Sequence, residues 1–446
     1  MYAQVAVENV NCTFDKDYDY SIPQQLEGKA LVGCRVAVPF GIGNRKRIGI
    51  ITRLTDSTQG KRIKSISAVL DEAPLLSNEM MSLARWISEQ TFCTYYEAVK
   101  AMLPAGINHK IIRSFCAVPG VDESIVASLD SDEKQVYDYL LSRSGYVKPE
   151  NFLKTLGFDV SSDIPERLLK AGLLAANDDA VRNIGDNNIR MVRLCEGSDD
   201  VSMTKKQSEV VNVLKDVGSV SVKELCYFTG YTPSVISALE KKGVVECFER
   251  EELRSFVSRY AVQSAYDSGE IHLTDEQQKA YDGLLEDYKS GTGKTALLYG
   301  VTGSGKTSVY LKLIDAVLAD NKTVIVMVPE ISLTPQTLSV FHSRYNDGVA
   351  VFHSALSAGE RADEWKRVKN GDAKIVIGTR SAVFAPLENI GLIIIDEEQE
   401  HTYKSEQTPR YNAKSVARYR AAWHKGLTLL ASATPSVESF AAAKSG

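Results

Sequence analysis

The sequence predicts an α/β fold in which a small β-rich domain and a helical region precede a parallel sheet. Short apolar runs alternate with amphipathic segments from about residue 263 onward. Runs such as VIVMV and LIII are apolar on both faces, as a sheet covered by helices on both sides requires. A glycine-rich loop follows the first run directly, where a strand would end and a helix begin. The predicted parallel strands are 296–300, 323–328, 349–353, 374–378, 391–395 and 427–431.

The composition is that of a globular protein, and the length of 446 residues suggests about three domains. The amino terminus lacks a basic region before an apolar run, and no stretch reaches the ~18 apolar residues of a membrane span. The 7 cysteines are scattered without a CxxC pair. We therefore expect reduced thiols, no zinc within this chain, no membrane partner and a cytoplasmic location.

The net charge of −5 does not by itself indicate a nucleic-acid-binding protein. Residues 41–65 nevertheless carry seven basic residues against one acid, and residues 400–425 carry six against two. Such runs are either solvated faces or surfaces that contact phosphates, and the sequence leaves both open.

Three domains follow from the pattern along the chain. Residues 1–107 alternate as strands, with a hairpin turn at 41–44 and a helix near 77–102. Residues 108–262 hold an internal repeat, with glycines at 145, 157 and 172 and again at 218, 230 and 243. Three short helices and a hydrophobic strand in each copy predict winged-helix units, which bind DNA or pack against neighbours. Residues 263–446 form the P-loop lobe.

The glycine-rich loop is a full P-loop pattern. Backbone N–H groups of such a loop close around phosphate oxygens, with the positive end of the next helix behind them. Lys306 would reach the β- and γ-phosphates, and Thr307 would bind Mg²⁺. A similar stretch at 290–295 lacks the first glycine and a preceding buried strand, so we favour Lys306 over Lys294. The predicted ATP-binding loop is Gly300, Val301, Thr302, Gly303, Ser304, Gly305, Lys306 and Thr307.

Asp396 and Glu397 directly follow the LIII strand, at the edge where open α/β sheets place their ligands. Asp396 could hold Mg²⁺ and Glu397 could orient the attacking water, so Lys306, Asp396 and Glu397 are the candidate catalytic residues. The alternative is a pair of solvated loop acids. Thr274 and Gln277 form a capping box for the helix that enters the lobe.

The motifs of the lobe resemble one family closely. The runs GVTGSGKTSVYLKLI, VPEISLTPQT, HSALSAGERADEW, IGTRSAVFAP, IIDEEQEHTYK, PRYNA and SATPSVES are similar to the PriA family of replication-restart DNA helicases, within superfamily 2. The likeness is dense from about 273 to 440. It is looser in the first domain, where Tyr18, Asp19 and Tyr20 precede an Ile-Pro pair.

The resemblance implies a RecA-like lobe that hydrolyses ATP, unwinds DNA 3′→5′ at forks, and loads the replication machinery. Its implied partners are forks, 3′ ends and single strands of DNA, primosome proteins and single-strand-binding proteins.

The resemblance also implies roles for single residues. Gln277 would recognise adenine, and Arg380 would contact the DNA backbone. An aromatic-rich loop would contact DNA through His401, Tyr403, Lys404 and Arg410, with the rings of His401 and Tyr403 stacking on bases. The residues implied to capture a 3′ end are Tyr18, Asp19, Tyr20, Gly41 and Lys64; a turn role remains open for Asp19. Those implied to couple DNA binding to hydrolysis are Gln399, Ser432, Ala433 and Thr434, although the last three could be simple helix caps.

Two departures from the family pattern matter. The family's DEEH is DEEQ here, and Gln399 can bridge to Thr434 but cannot titrate near neutral pH. The family also continues into a second lobe with an arginine finger and a zinc module, whereas this chain stops at AAAKSG. We therefore expect the chain alone to bind ATP, hydrolyse it slowly and not unwind DNA. The alternatives are a nucleotide-regulated adaptor that binds DNA structures, or another superfamily 2 translocase.

Overall fold

The computed structural model describes residues 1–41, 43–58, 60, 63–107, 109–121, 123–182, 188–195, 202–251 and 271–445. The chain forms two compact units, one of residues 1–183 with 256–446 and the other of residues 184–255. The segment predicted as a single winged-helix region, 108–262, is therefore divided between the two units. Its first copy belongs with the N-terminal domain and the P-loop lobe.

The N-terminal domain is built on a six-stranded sheet with strand order β5-β2-β1-β4-β3-β6. The turn at 41–44 joins β3 to β4 as an antiparallel hairpin, as predicted. The single helix expected near 77–102 is two helices, because Phe92 ends the first one in the left-handed region at φ +54°. The elements are β1 Tyr2–Val7, β2 Tyr18–Ser21, β3 Arg35–Phe40, β4 Arg45–Thr55, β5 Lys64–Ser65, β6 Ala68–Val69, α1 Asn78–Thr91 and α2 Tyr95–Met102.

The elements of 109–182 and of 188–251 follow a similar order. In each copy a strand precedes three helices and a second strand that pairs with it, and in the first copy one further short helix, 123–127, comes before those three. A pairing after the first of the three helices also recurs, through the bridge Phe115–Val147 in one copy and β10 in the other. The first copy comprises β7 His109–Ala117, α3 Glu123–Ala127, α4 Ser131–Leu141, α5 Pro149–Thr155, α6 Ile164–Lys170 and β8 Leu174–Arg182. The second comprises β9 Asn188–Leu194, α7 Lys205–Val217, β10 Ser219–Ser221, α8 Val222–Thr229, α9 Pro233–Lys241 and β11 Val245–Glu251.

The last segment is a parallel six-stranded sheet with order β12-β17-β16-β13-β15-β14, as the apolar runs predict. Helices cover both faces, so the central strands are almost fully buried. The strands are β12 Thr295–Tyr299, β13 Thr323–Met327, β14 Val349–Phe352, β15 Ile375–Gly378, β16 Ile390–Asp396 and β17 Leu427–Ser432. The helices are α10 Asp275–Lys289, α11 Lys306–Ala319, α12 Pro335–Tyr345, α13 Ala358–Asn370, α14 Ala413–His424 and α15 Val437–Ser445.

The N-terminal domain packs directly on this lobe. Gly106, just after α2, lies so close to α13 that a Cβ there would meet the Ala358 carbonyl oxygen at 2.1 Å. Arg420 of α14 is fully buried and donates to both carboxylate oxygens of Glu79 on α1, at 2.8 and 3.0 Å. Its remaining N–H groups bind three backbone carbonyls that follow β15, those of Val383, Ala385 and Leu387.

Candidate nucleotide and DNA site

The P-loop lies between the end of β12 and the start of α11. Gly303 and Gly305 have φ of +79° and +78°, a region that only glycine enters without strain. The Lys306 ammonium donates to the carbonyls of Gly300 and Val301 at 2.8 and 3.2 Å, so it lies within the curve of the loop. The loop backbone and this cation face the same space, where they can surround a phosphate group.

Gln277 reaches the same loop from α10. Its backbone N–H completes the predicted capping box with Thr274, and its side-chain amide donates to the Ser304 carbonyl at 2.9 Å. A Cβ at position 305 would lie 2.3 Å from the Gln277 amide nitrogen, so Gly305 is required for this contact as well as for its φ. Gln277 therefore holds the P-loop from outside, next to the space for the nucleotide.

A residue outside the predicted motifs lies near both the acid pair and the P-loop. Tyr310 of α11 is 3% exposed, and its pKa responds to both Thr307 and Asp396. Burial, followed by the charge of Asp396, raises the pKa of Tyr310, so this hydroxyl stays protonated. Burial also raises the pKa of Asp396 above its usual value, and the charge of Lys306 opposes that rise. Tyr310 follows Thr307 by three residues, about one helical turn along α11, and this spacing could have identified Tyr310 from the sequence.

Glu397 is held in an unusual backbone conformation directly after β16. Its φ is +44°, and its N–H donates to its neighbour Asp396 at 3.1 Å. Non-glycine residues in this region cost about 1–3 kcal/mol and gather at functional sites. Its carboxylate accepts the Gln399 amide at 2.9 Å.

Gln399 continues the chain of contacts to the end of β17. Its side-chain oxygen accepts the Ser432 hydroxyl at 2.6 Å, and that hydroxyl accepts the Thr434 N–H at 2.9 Å. The predicted direct bridge from Gln399 to Thr434 is thus wrong, because Ser432 lies between them. Ala433 is half-buried and follows in the same turn.

Tyr403 is not a base-stacking residue in this structure. It is 2% exposed, and its hydroxyl donates to the carbonyls of Asp396 and Met327 at 2.6 and 3.1 Å. Its ring is part of the core, so it ties the aromatic-rich loop to the end of β16. His401, Lys404 and Arg410 are exposed in that loop, as DNA contact requires.

Arg380 follows β15 and binds the aromatic-rich loop. Its guanidinium donates to the carbonyls of Thr402 and Lys404 at 3.2 and 2.6 Å, and it lies 5.9 Å from the ring centre of Tyr411. The predicted backbone contact and the predicted aromatic loop therefore form one surface at the carboxyl edge of the sheet.

The residues implied to capture a 3′ end lie together at one edge of the N-terminal sheet. Lys64 of β5 pairs with Tyr20 of β2, and its ammonium donates to the Gly41 carbonyl at 2.6 Å. The Asp19 carboxylate accepts the Thr58 hydroxyl at 2.6 Å and an amide N–H of Gln4 at 3.4 Å.

The two tyrosines of this constellation differ. Tyr18 is half-buried and meets the Phe40 ring edge-on, with centroids 5.0 Å apart. Tyr20 is 3% exposed and donates to the Pro39 carbonyl, so its predicted DNA contact gives way to a structural role.

Known protein families match both the N-terminal domain and the P-loop lobe. Residues 4–104 match the model of the PriA 3′DNA-binding domain, and residues 274–442 match the DEAD/DEAH box helicase. The replication restart protein PriA of Bacillus subtilis is 36% identical over all of this chain and 54% of that protein. That of Chlamydia pneumoniae is 30% identical over all of the chain and 50% of that protein, and that of Synechocystis is 33% identical over 95% and 51%. The chain is homologous to the N-terminal half of PriA proteins.

The chain spans about half the length of the PriA relatives that it matches. A solved structure of RecG bound to a three-way DNA junction matches 40% of this chain and 23% of that one, at 28% identity and a TM-score of 0.30. In the part of the chain that the structure describes, no helix is long and apolar enough to cross a membrane.

In this PriA homologue several residues of the two basic runs bind other parts of the same chain. Arg45 pairs with Glu166 of the first repeat at 3.1 Å, and the Lys46 ammonium donates to the Asp178 carbonyl at 2.8 Å. In the second run, Lys414 pairs with buried Glu398 at 2.7 Å, and Arg420 pairs with Glu79. These residues hold elements together, whereas Lys61 and Arg62 lie outside the described residues.

Glu398, the third residue of the DEEQ run at 396–399, is a further residue without a role predicted from the sequence. It is fully buried and accepts hydrogen bonds from the Ser436 backbone N–H at 2.6 Å, from Ser439 and from Lys414. Burial raises the pKa of this carboxyl, but the bond from Lys414 and the others outweigh burial and leave the pKa below its usual value. Glu398 thus joins β16 to the turn after β17.

The residues present suit ATP with Mg²⁺. The donor set is one hydroxyl, Thr307, and one carboxylate, Asp396, and both influence the pKa of Tyr310. Mg²⁺ prefers oxygen ligands and is usually held by one or two protein groups together with substrate phosphates and waters. Among the described residues no cluster of three or more His, Cys, Asp or Glu side chains is placed to hold a metal ion without such a substrate.

Proposed function

We propose that this chain is the N-terminal part of an ATP-dependent 3′→5′ DNA helicase that recognises stalled forks and restarts replication. One observation carries the proposal. The P-loop and the acid pair follow strands that end at the same edge of one parallel sheet, and the Lys306 charge acts on Asp396, on a chain whose first residues match a 3′DNA-binding domain. DNA forks, 3′ ends and single strands would be its nucleic-acid partners.

The residues would divide the work as follows. Lys306 and the loop N–H groups would hold the triphosphate, and Thr307 and Asp396 would hold Mg²⁺, which would supply positive charge to offset the negative charge that develops during hydrolysis. Glu397 orients the attacking water. Gln277 binds the adenine side of the nucleotide. The chain of contacts from Glu397 through Gln399 to Ser432 and the turn with Ala433 and Thr434 would link nucleotide to DNA.

On the DNA side, Arg380 would orient the aromatic-rich loop as well as approach the strand, because its guanidinium already binds two carbonyls of that loop. His401, Lys404 and Arg410 are the exposed members that would touch DNA. Primosome and single-strand-binding proteins are the proposed protein partners, in the cytoplasm, and any zinc module would lie in a C-terminal half.

Replacing Lys306 with alanine is expected to weaken Mg²⁺-dependent ATP binding about 10- to 150-fold, the value of one to two lost bonds to a charged group. Isothermal titration calorimetry of ATP, with and without Mg²⁺, measures the change. Lys294→Ala is the matched control, because Lys294 belongs to the similar stretch upstream and pairs with Asp287 at the surface. Equal affinities for both variants, or ATP affinity that is independent of Mg²⁺, would contradict the motor assignment.

We further propose that Asp19 accepts a hydrogen bond from a terminal 3′-OH. A carboxylate has about four acceptor sites, and the contacts with Thr58 and Gln4 leave capacity for another donor. Strands that end in 3′-OH should bind more tightly than strands that end in 3′-phosphate. Asp19→Ala should reduce that preference about 10- to 150-fold.

Fluorescence anisotropy with the two strand types tests this prediction. Asp56→Ala is the control, since Asp56 is an exposed acid of the same domain and its loss changes the net charge equally. Equal affinity for the two ends, or the same effect from both variants, would remove the terminal-hydroxyl role and leave Asp19 as a residue that ties β2 to its neighbours.

The second candidate function is a nucleotide-regulated adaptor that binds DNA structures without turning over ATP. One contact favours this function. Glu79 of the N-terminal domain accepts a hydrogen bond from Arg420 of α14, and Arg420 also binds the segment after β15, so this contact would carry a change in the lobe to the N-terminal domain. A change of fork affinity on ATP binding, without turnover, would support the adaptor.

A further inference from the structure

A cleft of about 340 Å³ lies between the N-terminal domain and the P-loop lobe, away from the nucleotide site. Its walls are the end of α2 and the residues after it, α13, and the carboxyl ends of β14 and β15. The volume is within the ~300–1,000 Å³ of small-ligand sites. The cleft is partly open and is joined to the predicted DNA surface, because the Thr379 N–H next to Arg380 donates to the Phe352 carbonyl at 3.1 Å.

Residues that line the cleft carry buried hydrogen-bond donors without a partner in the part of the chain that the structure describes. Trp365 is 3% exposed, and neither its indole N–H nor the Arg361 Nε–H has a partner among the described residues. His353 accepts the Ala355 N–H at its Nδ1, so the neutral ring carries its proton on Nε2, as a third donor. A buried donor without an acceptor destabilises the protein, so a ligand whose acceptor atoms reach these donors would gain affinity.

The rest of the lining selects the kind of acceptor. Phe352, Phe384 and Trp365 offer aromatic surface, while Lys100 and Arg361 bring positive charge. None of the described residues that line the cleft is an acid. A planar ring suits the aromatic side chains, acceptor atoms at its edge suit the donors, and an attached phosphate suits the positive charge. A nucleotide of DNA has this chemistry.

We propose that this cleft takes one unpaired base of a DNA strand that passes over the carboxyl edge of the sheet; the proposal rests on the DNA-binding function above. The base enters among the aromatic rings, its acceptors meet the Trp365 and Arg361 donors, and its phosphate lies near Lys100. A base within a duplex cannot enter without leaving its pair, because pairing and stacking occupy its edge and faces. The cleft therefore reads single-stranded DNA, one base at a time.

The test is a scan with single-stranded oligonucleotides that carry one abasic site, moved position by position along the strand. Removing the base that occupies the cleft should lower the affinity of the chain about 5- to 150-fold, as loss of one base stack does. Trp365→Phe keeps a ring but removes the donor, and should reduce the ratio between intact and abasic strands about 2- to 10-fold. Trp423→Phe is the control, because that ring is 49% exposed on α14.

A second measurement is independent of any folding defect in the Trp365 variant. The sequence holds 3 tryptophans, so Trp86→Phe with Trp423→Phe leaves Trp365 as the sole indole fluorophore. Its emission should be quenched by the intact strand and not by the strand that is abasic at the sensitive position.

The outcomes are separable. A chain that binds no single-stranded DNA at all overturns the proposed function together with the cleft assignment. DNA binding without a sensitive position, or with equal effects of Trp365→Phe and Trp423→Phe, overturns the cleft assignment alone. Quenching by dTMP without any abasic effect would show a site for a free nucleotide and would overturn the assignment to a strand.

Discussion

Arg420→Leu is expected to lower the free energy of unfolding of the larger unit by about 3–5 kcal/mol, the usual cost of leaving one member of a buried ion pair alone. Glu79, 4% exposed, would keep its charge without a partner, and the carbonyls of Val383, Ala385 and Leu387 would lose their donor. Urea denaturation followed by circular dichroism measures the change.

Two comparison variants test whether the loss of stability is specific to the buried pair of Arg420 and Glu79. Lys294→Ala breaks an exposed ion pair of the same unit and should leave the stability nearly unchanged. Glu79→Leu combined with Arg420→Leu should regain part of the loss, because apolar replacement of a whole buried pair is often close to neutral. Equal effects of Arg420→Leu and Lys294→Ala would contradict the structural role of the pair.

The pH dependence of the same pair has a defined sign. Burial raises the pKa of Glu79, but the charge of Arg420 and the His424 ring, 3.6 Å away, outweigh burial and leave the pKa below its ordinary value. A carboxyl whose folded pKa is lowered stabilises the fold above its unfolded pKa, and that contribution is lost as the pH falls through the folded pKa. Arg420→Leu should remove this acid-dependent part of the stability.

The sheet and the P-loop could be predicted because their signals are local. Strands buried on both faces give unbroken apolar runs such as the one that became β13, and the observed bounds of the six strands differ from the predicted ones by at most one residue. Gly303 and Gly305 have positive φ angles that favour glycine, so the glycines in the sequence predict the conformation of the loop directly. The order of the elements then brings the acid pair to the same edge.

The roles of Arg420 and Tyr403 could not be predicted, because they depend on partners distant in sequence. Arg420 and Glu79 are separated by 341 positions, and along the chain Arg420 is one more cation in a basic run. Tyr403 is an aromatic residue in a polar loop, which suits base stacking equally well until the loop is seen folded onto β16. Burial of a side chain in a loop is set by tertiary packing, which no periodicity reports.

The 446-residue chain is expected to hydrolyse ATP about 10³–10⁵-fold more slowly than full-length PriA of Bacillus subtilis under the same conditions, with DNA present. The lobe supplies Lys306, Thr307, Asp396 and Glu397, the residues that we propose hold the triphosphate and orient water. The resemblance implies that an arginine finger comes from a second lobe, and residues 271–445 form a single parallel lobe. Phosphate release at saturating ATP measures the difference.

Because the binding groups are present in this lobe, the deficit should lie in kcat, while ATP affinity measured by calorimetry stays similar for the two proteins. Lys306→Ala, prepared in the same way, reports any contaminating hydrolase. Turnover comparable to that of the full-length relative, abolished in the Lys306 variant, would show that one lobe completes the active site and would overturn the division of labour between two lobes. Slow turnover with fork affinity that responds to ATP would instead favour the adaptor, since the nucleotide would then act by binding alone.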